Sequence, residues 1–429
     1  MVFKEILKAT PNMKSRFSQG VIWNFLSLII LGISGILANI LIAKYYGAEI
    51  LGVFNQVFAF YILASQIAVW GIHFSVLKHV PQFAKNKKQC NSIISSSLVL
   101  TIVLSILVAI IIWFLKGAIG SFLDSPGVAR AIPYIIPAIV FFALNKLLLH
   151  VLNGFRHMKN YAFSTALRYI LLLVFSVIAI LLNFPGHSLP IIFTFSEFLV
   201  FCWLIVNVRN LYSFTLKDFR KWTRIHFVFG TKIVLSGALF EVNTRVDILM
   251  LGIFTSDKTV GVYSLASIIA EGVSMIYMAV KANVNPILTK LYFQKKIKRL
   301  REIIKKGVSL FYLFMLVVVL IAIALYPVFL NIFIKDPSFI QSWYVFMILM
   351  TGILLSSGYL PFNQILAQTG FPGYYTLMIS SVIVVNIILN LALIPLLGIY
   401  GAAIATASSF IFSILVLKIM VKKLLGFSI

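Results

Sequence analysis

Apolar residues fill twelve stretches of this chain, each near the roughly 20 residues that a helix needs to cross a bilayer, and short polar loops separate them. The first six run over about 20–43, 52–76, 92–115, 131–153, 161–183 and 188–208. The second six run over about 230–254, 259–281, 307–334, 342–366, 374–396 and 399–420. Backbone amides inside a bilayer find no water, so each span must close its own hydrogen bonds as a helix. The pattern predicts an all-α polytopic membrane protein of about 12 transmembrane helices. The first stretch is of full span length and lacks a small-residue cleavage site, so it is expected to stay as a helix.

Composition agrees. Of 429 residues 61% are hydrophobic and 11% charged, a balance that a water-facing globule could not carry without large exposed apolar patches.

The net charge of +25 changes the picture once it is read by position. Of 36 Lys and Arg, 26 fall on one side: in the N-terminal tail (Lys4, Lys8, Lys14, Arg16), the second loop (Lys78, Lys85, Lys87, Lys88), the fourth (Arg156, Lys159), the sixth, the eighth and the C-terminal tail. Lys44, Lys116, Arg130, Lys258 and Lys335 lie opposite. By the positive-inside rule both termini are expected in the cytoplasm and the chain in the cytoplasmic membrane. Basic runs such as Lys295 to Lys306 then face anionic lipid, and no nucleic-acid partner is expected. Cys90 and Cys202 and the six scattered histidines form no metal or redox motif, so no metal, no cofactor and no catalytic group is expected.

A repeat divides the chain. ILGVFNQVFAF at 50–60 corresponds to TVGVYSLASII at 259–269, which matches Gly52 with Gly261 and Phe54 with Tyr263. VLNGFRHMKNYAF from 151 aligns loosely with ILAQTGFPGYYTL from 365. With six spans in each half, the halves share one orientation and are expected to be two six-helix lobes related by a pseudo-two-fold along the membrane normal. The expected organisation is a cytoplasmic tail over 1–19, an N-lobe over 20–208, a cytoplasmic linker over 209–229, a C-lobe over 230–420 and a C-terminal tail over 421–429.

Charges inside spans cost a few kcal/mol each at mid-bilayer, so they tend to face a cavity or a partner. On the seventh span Glu241 and Arg245 share a face, and Asp247 shares another with Asn243. Glu271 on the eighth lies roughly level with Glu241, and Glu197 is in the middle of the sixth. Two readings stand for these carboxylates: Glu241, Asp247, Glu271 or Glu197 exchanges H⁺ or Na⁺ during transport, or the acids brace Arg245 statically. Lys146 and Arg168 sit about 10 Å from the cytoplasmic face by helix rise. They either receive a phosphate or pyrophosphate or snorkel to the interface.

The segments TRVDILMLGIFTSDKTVGVYSLASIIAEG at 244–272, VNIILNLALIPLLGIYGAAIATASS at 385–409 and KYYGAEILGVFNQVFAF at 44–60 resemble the polysaccharide-biosynthesis flippases of the multidrug/oligosaccharidyl-lipid/polysaccharide exporter superfamily. The resemblance implies a two-lobed transporter, not an enzyme, that moves polyprenyl-pyrophosphate-linked oligosaccharide from the inner to the outer leaflet. It implies a basic cavity for the pyrophosphate, coupling to H⁺ or Na⁺, and membrane lipids and a polymerase or glycosyltransferases of the same pathway as partners. Arg245 and Asp247 match its RxD pattern, and Gly261 and Tyr263 its GVY pattern as helix-packing positions. Glycan contacts are expected from scattered side chains such as Asn24, Gln56, Tyr61, Gln66, Asn363 and Gln364. A cation-coupled drug or metabolite exporter and a lipid II flippase are the alternatives within the superfamily. A membrane-bound polymerase would show a long outer loop with polar catalytic residues, but the longest outer stretch, Lys116 to Arg130, has only Asp124 as an acid.

Overall fold

The computed structural model describes residues 16–429, and side chains throughout except at 16–22, 24, 25, 235–240, 242–244, 279 and 282. The tail cations Lys4, Lys8 and Lys14, and the side chains of Arg16, Asn24 and Asn243, lie outside the described residues.

Among the described residues the secondary structure is helical. The first helix breaks at Gly47, whose φ of 78° is open to glycine at little cost, giving α1 (16–46) and α2 (48–69). There follow α3 (Ile72–Gln82), α4 (Lys87–Phe122), α5 (Pro126–Ala131), α6 (Ile136–Gly154), α7 (Met158–Leu181) and α8 (Ile191–Val208). The rest are α9 (Phe219–Phe254), α10 (Asp257–Phe293), α11 (Ile297–Phe329), α12 (Ile340–Ser357), α13 (Ile365–Gln368), α14 (Pro372–Leu397) and α15 (Ile399–Leu425). Ten helical stretches among the described residues are long and apolar enough to span a bilayer. The first of them contains both α1 and α2, and the remaining expected span, the seventh, falls on α9. On α4 the side chains of Ile102, Val103, Leu107, Ile110 and Phe114 are exposed, an apolar stripe suited to acyl chains.

Several boundaries differ from the sequence reading; the tenth span, for one, does not run to 366, because α12 ends at Ser357. The second span does not run unbroken to 76: Trp70 and Gly71 both take positive φ, 48° and 68°, and end α2 before α3 begins. α9 starts at Phe219 and α11 at Ile297, each about three turns before its apolar stretch, because polar residues extend a helix as readily as apolar ones beyond the bilayer. The basic segment after α8 is tied down. Ser213 N–H donates to Asn91 Oδ1 at 3.0 Å, Thr215 N–H to Ser95 Oγ at 3.0 Å and Trp222 Nε1 to Gln89 Oε1 at 3.2 Å.

The described chain packs as two compact units, one over Gln19–Gly261 and one built mainly on Val262–Ile429. The seventh helix, α9, therefore belongs with the first unit, whereas the helix count alone groups it with the C-lobe. The core of the first unit takes Ile72, Val76 and Val80 of α3, Ile94 and Leu98 of α4, Leu144, Leu148 and Val151 of α6, and Val200 and Leu204 of α8. These recur at three- and four-residue steps, one face of each helix. The core of the second unit gathers Val284 and Leu288 of α10, Leu300 and Ile304 of α11, Ile365, Met378, Leu417 and Val421. Within it, Gly352 meets Ala407 and Gly401 meets the Leu393 backbone, small residues that let helices approach closely.

In the first unit the repeat-matched glycines pack on each other. A Cβ added to Gly52 would overlap the carbonyl of Asp257, and one added to Gly261 the carbonyl of Ala48. The backbones of α2 and the first turn of α10 thus touch at these positions, which glycine alone permits.

Candidate functional site

The embedded charges of the first unit converge on α2. Gln56, Tyr61 and Gln66, spaced five residues apart on that helix, each donate to a carboxylate from a different element. Gln56 Nε2 bonds Asp257 Oδ1 at 2.6 Å, Tyr61 Oη bonds Glu197 Oε1 at 3.0 Å, and Gln66 Nε2 bonds Glu241 Oε1 at 2.6 Å. These three side chains, expected as glycan contacts, each bond a carboxylate in the fold. Only tertiary proximity reveals this, because the acids are 136 to 201 residues away along the chain.

Glu197 on α8 is buried and saturated. Besides Tyr61 it accepts from Asn145 Nδ2 at 2.8 Å, and Arg168 on α7 meets it at two points: Nε lies 2.7 Å from Oε1, and Nη2 donates to Oε2 at 3.1 Å. Asn145 also donates to the backbone carbonyl of Glu197 at 2.8 Å, which joins α6 to α8. With side-chain exposures of 12% and 3%, the pair stays inside the protein and the Arg168 head is not lifted toward an interface. A buried charge is tolerable only when partnered in this way.

Glu241 on α9 is held across helices. In addition to Gln66 it lies 3.9 Å from Lys146 Nζ on α6. These partners come from α2 and α6, which spacing along α9 could not show. Lys146 and Arg168 also share one aromatic ring, their cationic groups 5.6 and 4.6 Å from the Phe142 ring centre. Arg245 stands 5.2 Å from the centre of Phe58. Phe58 and Tyr61 stack on Phe193 at 5.3 Å each, and Tyr61 meets Phe142 edge-on at 5.5 Å. One aromatic layer therefore backs all three cations, and cation–π contacts of this kind gain strength where water is excluded.

The first unit thus brings Lys146, Arg168, Arg245, Glu197 and Glu241 into one polar cluster. Asp247 is partly exposed on α9, two residues beyond Arg245, and its expected neighbour Asn243 lies outside the described side chains. Glu271 is partly exposed on α10 in the second unit, and Tyr263 is buried there. Asp257, which the sequence reading passed over, accepts from Ser125 Oγ at 2.7 Å as well as from Gln56, and Ser125 also caps α5 by accepting from Val128 N–H at 3.0 Å. Among the described residues no group of three or more His, Cys, Asp or Glu is placed to hold a metal ion.

Cations held beside carboxylates on an aromatic wall can exchange one acid for an incoming phosphate oxygen, and a carboxylate released in this way can take up a proton or a metal cation.

Comparisons with known proteins agree with the fold. A family model described as polysaccharide biosynthesis protein matches residues 17–292, and the MatE model matches residues 233–392. The uncharacterized membrane protein MJ1068 of Methanocaldococcus jannaschii is 23% identical over 421 residues, 92% of this chain and 81% of that protein. Among solved structures, the lipid II flippase MurJ in an inward closed conformation has a TM-score of 0.75 at 17% identity, covering 94% of this chain and 87% of that one. An inward-facing multidrug resistance MATE family transporter of the MOP superfamily also has a TM-score of 0.75, at 16% identity, covering 90% of this chain and 93% of that one. A MOP superfamily transporter from Pyrococcus furiosus, described as having a binding pocket of reverse polarity, has a TM-score of 0.63 at 13% identity, covering 93% of this chain and 94% of that one. The chain belongs to the polysaccharide biosynthesis protein family, within the multidrug/oligosaccharidyl-lipid/polysaccharide exporter superfamily.

Proposed function

We propose that this transporter flips polyprenyl-pyrophosphate-linked oligosaccharide from the inner to the outer leaflet of the cytoplasmic membrane by alternating access, for surface polysaccharide synthesis. No bond is made or broken. The observation that carries this reading is the placement of Lys146, Arg168 and Arg245, each within an apolar span, against a single aromatic layer. Embedded cations are expensive in a bilayer and suit an anionic headgroup. Arg168 is already committed to Glu197, so it shapes and rigidifies the site. Lys146 and Arg245 are the groups that would meet the pyrophosphate, with Lys146 leaving Glu241.

In this reading Glu241 is the coupling carboxylate, with H⁺ or Na⁺ as the ion, and Glu197 is a structural partner of Arg168. Glu271 and Asp247 are further coupling candidates. The termini face the cytoplasm, in keeping with the charge bias of the loops. A polymerase or glycosyltransferases of the same pathway are the proposed partners. Protein-dependent movement of a fluorescent polyprenyl-pyrophosphate oligosaccharide between leaflets of proteoliposomes tests the reading.

A second reading, a cation-coupled drug or metabolite exporter, draws on the MatE match over residues 233–392 and on the embedded carboxylates. The embedded Lys146, Arg168 and Arg245 disfavour it, since positive charge repels organic cations. The likeness to MurJ makes lipid II a further candidate substrate, itself a lipid-linked saccharide.

A further inference from the structure

In the second unit, α10 carries polar residues at every fourth position along one partly exposed face: Tyr277, Lys281, Asn285 and Thr289. Two of them form rungs with α13 and the residue before it. Asn285 Nδ2 donates to Gln364 Oε1 at 2.6 Å, and one turn further on Thr289 Oγ1 donates to Gln368 Oε1 at 2.8 Å. The neighbouring face of α10, with Val284 and Leu288, is buried in the apolar core beside Ile365 and Leu366. The rungs therefore border the core.

The ladder is incomplete. Among the described residues, the buried Oδ1 atoms of Asn285 and of Asn363, next to Gln364, accept no hydrogen bond. Leaving a buried acceptor unpaired costs about 1–3 kcal/mol, so a conformation that brings a donor to either oxygen is favoured. With their oxygens engaged, Gln364 and Gln368 retain amide N–H groups that can donate. Completing such a set takes a neutral ligand that both donates and accepts. Phosphate only accepts, and an ammonium only donates. A saccharide hydroxyl does both.

We propose that Asn285, Thr289, Asn363, Gln364 and Gln368 form a subsite for the saccharide of the transported lipid. The proposal rests on the lipid-linked glycan reading and adds to it the group that recognises sugar apart from pyrophosphate.

The test compares the affinity of the full chain in nanodiscs for bare polyprenyl pyrophosphate and for the same lipid carrying N-acetylglucosamine, galactose or mannose. The wild type is expected to bind at least one glycosylated form about tenfold more tightly than the bare lipid, the gain of one or two net hydrogen bonds. Asn363→Leu and Gln368→Leu should remove that preference and leave the affinity for bare lipid unchanged. Asn363→Leu deletes an oxygen that has no partner, so its thermal stability should match the wild type and separate recognition from folding. Retention of the preference in both variants would overturn the proposal and leave the ladder as a hydrated brace between helices. Equal wild-type affinity for bare and glycosylated lipids would also overturn it while the pyrophosphate reading stands. Binding of none of these lipids would remove the lipid-linked glycan reading, and the subsite with it.

Discussion

Arg168 and Glu197 meet as a two-point ion pair inside the first unit, with Nε 2.7 Å from Oε1 and Nη2 donating to Oε2 at 3.1 Å. The two helices that carry them, α7 and α8, would otherwise bury one uncompensated charge each. Removing one partner of such a pair costs about 3–5 kcal/mol, whereas replacing both by apolar groups of similar volume is often neutral. Glu197→Gln should therefore lower the thermal stability of the purified protein sharply, and Arg168→Met combined with Glu197→Leu should restore most of it. A double variant as unstable as the single one would show that Arg168 is held by more than Glu197.

Arg245 tests the division between site and brace. Arg245→Ala should impair transport by removing the cation that faces Phe58. Should Arg245→Ala combined with Glu241→Ala transport normally, the residues are a static pair and the pyrophosphate role of Arg245 fails. Transport assays with each variant reconstituted at matched protein density decide the matter.

Glu271 lies on α10 in the second unit. If it couples transport, Glu271→Gln should reduce the response to an imposed pH or Na⁺ gradient. Unchanged transport with an unchanged gradient response removes it from the coupling proposal.

The glycine contact makes a stability prediction. At Gly52 and Gly261 the atoms a methyl group would meet are backbone carbonyls, which cannot swing aside. Gly52→Ala and Gly261→Ala should each lower the folded yield and the thermal midpoint. Gly35 is in α1 with nothing within 4 Å of an added Cβ, so Gly35→Ala should raise stability by about 0.5–1 kcal/mol. A thermal-shift series over the three variants reads both signs.

His226, at the start of α9 and outside the apolar span, is fully buried. Its Nδ1 lies 2.8 Å from Ser75 Oγ and its Nε2 3.1 Å from the Ile93 carbonyl. Burial first, and the neighbouring His79 after it, push its pKa down to about 4, against the bond to Ile93. The folded protein thus holds His226 neutral where an unfolded segment would protonate it near pH 6.5. Its contribution is complete above pH 6.5, declines as the pH falls, and is gone near pH 4. Trp222, whose ring centre is 5.9 Å from that of His226, should report this as an emission change centred near pH 4. The change should be absent in His226→Gln, and a transition centred near 6.5 would contradict the buried assignment.

Much of the fold was legible because a bilayer admits few solutions: apolar stretches of span length must be helices, and cation bias along the loops orders them. The embedded charges were legible for the same reason, since Lys146, Arg168, Glu197, Glu241 and Arg245 each interrupt an apolar run. Their partners were not. Spacing along one helix suggested Glu241 with Arg245 but could not show that Gln66 and Lys146, 175 and 95 residues away in sequence, also meet Glu241 through packing between helices. Asp257 escaped notice because it sits at the end of an apolar span, where an acid costs little, and only its buried partners Gln56 and Ser125 reveal its role. The division at Gly261 was hidden too, because it follows the packing of α9 rather than the count of spans.

The most direct test of the central claim is the leaflet accessibility of a fluorescent polyprenyl-pyrophosphate oligosaccharide in proteoliposomes, compared between the wild type and Lys146→Ala/Arg245→Ala, with and without a pH or Na⁺ gradient. The account predicts protein-dependent translocation that the double variant loses. Gradient-dependent movement of an organic cation, with no movement of any lipid-linked glycan, would contradict it.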